Sequence, residues 1–212
     1  MPPSAFRGTR SAVQPKAVWA ARVRRRSLSV RGHDDRVDRS KLAAAIYTTS
    51  HLVGTFQLRS GRTASEYFDK YRFESDPVLL RAIAKQAVDC IPSGTEVLAG
   101  LELGGVPIAT ALGLASGLPI AFVRKAAKPY GTRQLAEGAD VAGRRVLIVE
   151  DVITSGGQVV LSAADLRDRG AIVGEALCVV DREEGGVEHL AKHGLTAIAL
   201  FTAEELSRAA SA

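Results

Sequence analysis

Aromatic residues make up only 5% of this 212-residue chain, with a single tryptophan. Such scarcity argues against an aromatic-rich β-sandwich, and the 20 glycines favour an α/β architecture with glycine turns. Cysteine is almost absent. Cys90 and Cys178 each sit in an apolar run, which excludes a disulfide-dense secreted domain and predicts buried thiols in a reducing, cytoplasmic setting. No hydrophobic run crosses a membrane unbroken. Leu103 to Val123 is uncharged for 21 residues, but Gly104, Gly105, Pro107, Gly113, Gly117 and Pro119 break it into a turn, a short helix and a strand. A soluble chain is expected.

Acidic residues are missing from one region only. Residues 1–33 hold eight bases, including Arg24-Arg25-Arg26, and no Asp or Glu. Removing those eight from the 28 bases leaves 20 against 23 acids, so the net +5 of the whole chain becomes −3 over residues 34–212. A body of that sign is a poor binder of phosphate backbones, and no nucleic-acid partner is expected for it. Residues 1–39 read as a basic extension: an organellar leader, a disordered arm, or upstream sequence from an early start codon. Its arginine block could touch nucleic acid or anionic lipid.

What remains, 46% hydrophobic and 24% charged overall, suffices for one core with a small subdomain. The expected domain is 40–212, with an N-terminal part over about 40–75 and a core over about 76–205. Helical spacing predicts a helix from Lys41 to Val53, capped by Ser40. Phe56 to Phe73 predicts a hairpin or extended hood turning at Gly61. Asp76-Pro77 predicts a cap and first turn for a helix to about Cys90. Beyond Gly94, strands are expected at 96–101, 119–124, 145–150, 172–180 and 195–200, with helices at 106–116, 157–169 and 187–193. This alternation predicts a mostly parallel central sheet flanked by helices.

The chemistry concentrates in Val146-Leu147-Ile148-Val149-Glu150-Asp151-Val152-Ile153-Thr154-Ser155-Gly156-Gly157. Four apolar residues make a buried strand, two carboxylates follow, and a small-residue loop opens a helix. Ligands of parallel sheets sit at the carboxyl ends of strands. Backbone N–H groups from Thr154 to Gln158 can face an anion, aided by the positive end of the helix. Carboxylates would repel a phosphate, so Glu150 and Asp151 suit sugar hydroxyls. A phosphate beside a diol describes a ribose 5-phosphate. The alternative is an ordinary β–α turn with surface acids; no Gly-Lys-Ser/Thr is present, so this is not a P-loop.

This segment resembles the phosphoribosyl-pyrophosphate (PRPP) motif of the type I phosphoribosyltransferases. Three further segments are similar to the orotate phosphoribosyltransferase branch: Arg124-Lys125-Ala126-Ala127-Lys128-Pro129-Tyr130-Gly131 to its mobile loop, Asp181-Arg182 to its orotate-binding turn, and Leu58-Arg59-Ser60-Gly61-Arg62 with Tyr67-Phe68 to its N-terminal hood. The resemblance covers about residues 41–205. It implies the type I fold and transfer of ribose 5-phosphate from PRPP to orotate, giving orotidine 5′-monophosphate and pyrophosphate. It implies PRPP contacts from Arg59, Arg124, Lys125, Lys128, Tyr130, Glu150, Asp151, Val152, Ile153, Thr154, Ser155, Gly156, Gly157 and Gln158. The roles implied as catalytic fall to Lys125, Lys128, Glu150 and Asp151, and orotate contacts to Thr154, Arg182 and Phe68. It also implies Mg²⁺ chelated mainly by PRPP rather than by a protein cage, and a homodimer. The pattern departs at Tyr130, where members often carry histidine, at Arg59, which replaces lysine, and at Leu103-Gly104-Gly105, where many carry Tyr-Lys-Gly. Backbone N–H groups of that turn could still bind pyrophosphate. Transfer to another base, or a PRPP-sensing regulator that binds nucleic acid, are the alternatives. His189 and His193, four apart on an expected helix, read as a surface pair rather than zinc ligands.

Overall fold

The computed structural model describes residues 38–57, 61–125 and 135–212. The basic extension up to residue 37, Arg59, Lys128 and Tyr130 lie outside the described residues.

Helix α1 spans Arg39–Ser50 and buries Leu42, Ala43 and Ile46. Its cap is Asp38, whose side chain accepts from the Lys41 N–H, not Ser40. The helix stops three residues short of the predicted Val53, because His51 turns extended and begins β1 (His51–Gln57). This strand pairs antiparallel with β2 (Thr63–Phe68), forming the small hood. The expected hood stretch also contains a short helix, α2 (Lys70–Ser75), that the sequence reading missed. Asp76 caps α3 (Pro77–Ala87) by accepting from Val78 and Leu79 N–H. That helix gives way to a 3-10 turn over Val88–Cys90, so the predicted run to Cys90 is helical but not α throughout.

The main sheet holds β3 (Val97–Leu101), β4 (Ile120–Val123), β5 (Ala136–Gly138), β6 (Arg145–Ile153), β7 (Ile172–Asp181) and β8 (Thr196–Thr202), in the order β5-β4-β3-β6-β7-β8. All pairs are parallel except β4–β5, an antiparallel edge that no sequence signal announced. Both faces are covered. Leu98 of β3 and Leu147 of β6 pack with α1, α3 and α4 (Gly105–Ser116), while their neighbours Val97, Ala99, Val146 and Ile148 pack on the other side with α5 (Gly157–Asp168) and with Leu190 of α6 (Gly186–Lys192). Side chains of a strand alternate between faces, so a sheet buried on both sides reads as a continuous apolar run. A final helix, α7 (Ala203–Ala210), follows β8 directly and was not anticipated. Its start carries a reciprocal capping box between Thr202 and Glu205.

The chain leaves β3 toward β4 on one side, and β6 then pairs with β3 on the other. The turns after β3 and β6 therefore diverge at a topological switch point, the usual place for a ligand crevice. The uncharged run 103–123 resolves into a turn, α4 and β4, and no helix among the described residues is long and apolar enough to cross a membrane. Cys178 is buried, as expected, and burial pushes its thiol upward; Cys90 is only half-buried.

Candidate active site

At the switch point lies a cavity of about 330 Å³. Its floor is the end of β6 and the following loop, from Glu150 through Val152, Ile153, Thr154, Ser155, Gly156 and Gly157 to Gln158. The turn after β3 contributes Glu102 and Leu103, the end of β4 contributes Lys125, and α2 contributes Lys70 and Tyr71. Strand β6 runs three residues further than predicted, so Asp151 lies within it rather than beyond its end, and Glu150 is not its last residue.

The loop is shaped by close packing against α6. Gly156 has φ +72°, a left-handed conformation that suits glycine, and a Cβ there would come within 2.2 Å of Leu190 Cδ1. A Cβ on Gly186 would meet the Thr154 carbonyl oxygen at 2.4 Å. His189 Nδ1 bonds the Ser155 carbonyl oxygen at 2.7 Å, so that nitrogen carries the proton. The pair His189 and His193 thus serves the loop from behind: the rings meet edge-on at 4.9 Å, and His193 Nδ1 bonds the His189 carbonyl.

The two carboxylates of β6 face different surroundings, as neighbouring strand residues must. Glu150 lines the cavity; Asp151 is fully buried beneath it. Asp151 Oδ2 meets Lys70 Nζ at 2.6 Å, and its other oxygen accepts from the Val152 N–H. Burial alone would raise Asp151, but the adjoining Glu74 and Glu150 carboxyls and the Lys70 cation outweigh it and hold this carboxyl below its ordinary range. Burial and the neighbouring Asp151 carboxyl push Glu150 up to about 9 and Glu74 up to about 8. Burial works to lower Lys70, and the negative charge of Asp151 more than offsets it, leaving the ammonium raised.

Lys70, Glu74 and Glu102 are cavity or floor residues that sequence reasoning missed. The signal was faint: Lys70 and Glu74 are four apart on a helix of six residues, and Asp69 before them makes no side-chain cap bond. Of the predicted positions, Arg124 is half-buried, donates its N–H to the Leu135 carbonyl at 2.9 Å, and does not line the cavity. Lys125 does line it, with its N–H bonded to Glu102 Oε2 at 3.1 Å. The three residues assigned to orotate divide. Thr154 belongs to this cavity, whereas Phe68 and Arg182 line a second one of about 190 Å³ with Tyr47, His51, Glu66 and Tyr67. The strands nevertheless adjoin: the Arg182 N–H donates to the Ile153 carbonyl at 2.9 Å, and its guanidinium pairs with Glu184 at 3.2 Å.

A crevice lined by a small-residue loop that opens a helix, flanked by lysines and with carboxylates at its floor, at a switch point, suits a phosphorylated sugar. Comparison with known proteins agrees. Residues 73–204 match the phosphoribosyl transferase domain family. An orotate phosphoribosyltransferase of Nocardioides sp. is 52% identical over 171 residues, covering 81% of this chain and 96% of that protein. One from Halobacterium salinarum is 46% identical over 173 residues, covering 82% and 95%. The crystal structure of Mycobacterium tuberculosis orotate phosphoribosyltransferase in complex with PRPP superposes with a TM-score of 0.70 at 30% identity, covering 81% of this chain and 99% of that one. The chain therefore belongs to the phosphoribosyl transferase family, among the orotate phosphoribosyltransferases.

Proposed function

We propose that this enzyme transfers ribose 5-phosphate from PRPP to orotate, releasing pyrophosphate, with the 330 Å³ cavity as its PRPP site. The observation that carries this reading is the loop from Thr154 to Gln158, held by α6 so that it lines a cavity whose other walls carry Lys70 and Lys125. The 5-phosphate takes the N–H groups and hydroxyls of that loop at the positive end of α5. Glu150, on the cavity wall, hydrogen-bonds a ribose hydroxyl. Lys125, with Lys128 of the same segment, neutralises the departing pyrophosphate, and Arg59 and Tyr130 add PRPP contacts from their segments. Asp151 acts from beneath the floor, through Lys70. Arg182 and Phe68 present a guanidinium fork and a ring to orotate, with Thr154 on the PRPP side.

Mg²⁺ fits as an ion that arrives chelated by PRPP. Glu102, a hard oxygen donor on the cavity wall, is the residue that would hold the ion there. When bound, the ion neutralises pyrophosphate charge. The enzyme acts as a homodimer in the cytoplasm, where its free thiols stay reduced.

The test mixes protein, PRPP, Mg²⁺ and orotate and follows orotate's ultraviolet absorbance. Loss that requires both PRPP and Mg²⁺ is expected. Binding of PRPP without consumption of orotate would reject orotate as the acceptor.

A further inference from the structure

Beneath the cavity floor, α2 brings a second acid to Asp151. Glu74 is buried, and its Oε1 has no hydrogen-bond partner among the described residues. Asp151 Oδ2 likewise lacks an aligned hydrogen bond; its contact is the ion pair with Lys70. Both oxygens converge on Gly104: a Cβ there would lie 1.5 Å from Asp151 Oδ2 and 2.9 Å from Glu74 Oε1. Two ionised carboxylates cannot satisfy each other, since each only accepts. One proton resolves both orphans.

We propose that Glu74 is a positioning residue: as a neutral carboxylic acid it donates its proton to Asp151, and so fixes the Asp151–Lys70 ion pair that presents the lysine to the PRPP cavity. The charge balance supports this. Fully ionised, Glu74, Glu150 and Asp151 would set three negative charges against the single Lys70 cation, under a site for phosphates. With both glutamates protonated, Asp151 and Lys70 cancel. The groups facing Glu74 are Asp151 from β6 and Lys70 and Asp69 from its own helix and cap, while Glu150 Oε1 accepts from the Asp151 N–H at 3.2 Å. Burial and the bond to Asp151 put the loss of the Glu74 proton at about 8, so the device fails above that pH. Gly104 is required by the same geometry, because a side chain would occupy the place where the carboxyls meet.

The inference rests on PRPP as the substrate, and its test separates the two. Wild type, Glu74→Gln and Glu74→Ala are compared for KM of PRPP and for kcat at about pH 7 and about pH 9. Glu74→Ala should raise KM for PRPP roughly tenfold at the lower pH, since a hydrogen bond to a charged group is lost. Glu74→Gln, whose amide donates and cannot ionise, should recover most of that. Between the two pH values KM should rise several-fold more in wild type than in Glu74→Gln. Infrared spectra of full-length wild type and Glu74→Gln, labelled with ¹³C at glutamate carboxyls, provide a readout free of substrate. A component of the carboxylic-acid carbonyl band present in wild type at neutral pH and missing from Glu74→Gln should diminish as pH passes about 8. Absence of that band at neutral pH, or an equal alkaline rise of KM in Glu74→Gln, overturns the proposal. The band present in a protein inactive with PRPP and orotate would keep the protonated acid and reject the substrate reading.

Discussion

The backbone carbonyl of Ser155 accepts a hydrogen bond from His189 Nδ1 at 2.7 Å, tying the phosphate loop to α6. Leu190 and Gly186 of the same helix lie against Gly156 and Thr154, so α6 is the support on which the loop rests. Removing the imidazole leaves the loop's shape but frees its carbonyl. His189→Ala should raise KM for PRPP about fivefold, the worth of one hydrogen bond of about 1 kcal/mol, with kcat little changed. His189→Asn, whose amide nitrogen stands near the place of Nδ1, should recover most of the loss. Steady-state kinetics at saturating orotate decide it; an unchanged KM in the alanine variant would show that the contact does not hold the loop for binding.

Two glycines around the cavity differ sharply in what surrounds them. A Cβ on Gly104 would strike Asp151 Oδ2, whereas one on Gly157 meets nothing nearer than Ser155 Oγ at 3.9 Å. Gly104→Ala should therefore separate Asp151 from Glu74 and Lys70 and cost at least about a hundredfold in kcat/KM, equivalent to some 2.7 kcal/mol. Gly157→Ala should leave the melting temperature unchanged or raised, since alanine suits a helix better by about 1 kcal/mol. Its PRPP affinity should still fall, because the phosphate needs the bare backbone there. Calorimetry with and without PRPP separates these effects, and wild-type affinity in Gly157→Ala would contradict the close approach of the phosphate.

The capping box at Thr202 and Glu205 starts α7, whose Leu206 is buried, and Arg39 of α1 reaches Glu205 at 3.1 Å. Thr202→Ala should destabilise by about 1 kcal/mol and lower the melting temperature by roughly 2–4 °C. Turnover should stay within twofold, as Thr202 lines neither cavity. A scanning-calorimetry midpoint equal to wild type would mean that the cap adds nothing to stability.

How much of this was legible follows from the range over which each feature is decided. The β6 strand and its loop are local: an apolar run, paired acids, hydroxyls and glycines adjoin in sequence, so the anion-binding turn could be read directly. Parallel strands buried on both faces were legible for the same reason. Helix α2 was not, because Lys70-Tyr71-Arg72-Phe73-Glu74-Ser75 is six residues long and polar except for Tyr71 and Phe73. Lys70 and Glu74 acquire meaning only by meeting Asp151 across the fold, and no motif spans that gap. The edge strand β5 is three residues long and defined by pairing with β4. Glu150 lining the cavity and Asp151 packing beneath it follow from strand alternation, which placing the strand's end at residue 150 obscured.

Those same buried acids set how stability responds to pH. Glu74 and Glu150 keep their protons in the folded chain up to about 8 and about 9, whereas the unfolded chain releases them near the ordinary glutamate value of 4.5. Between those limits the native state binds more protons than the unfolded state, so unfolding free energy falls as pH rises. Asp151 and Glu205 are held low and act in the opposite sense, but their stabilisation is lost only as pH falls below the ordinary carboxylate range. Stability should therefore peak on the acidic side of neutrality. The melting temperature should decline from about pH 5 to about pH 8, at up to about 1.4 kcal/mol per pH unit for each proton released. Glu74→Gln should flatten that decline, because the amide has no proton to lose. A melting temperature that climbs over this interval in wild type, or an identical slope in Glu74→Gln, would mean that Glu74 is ionised in the folded enzyme.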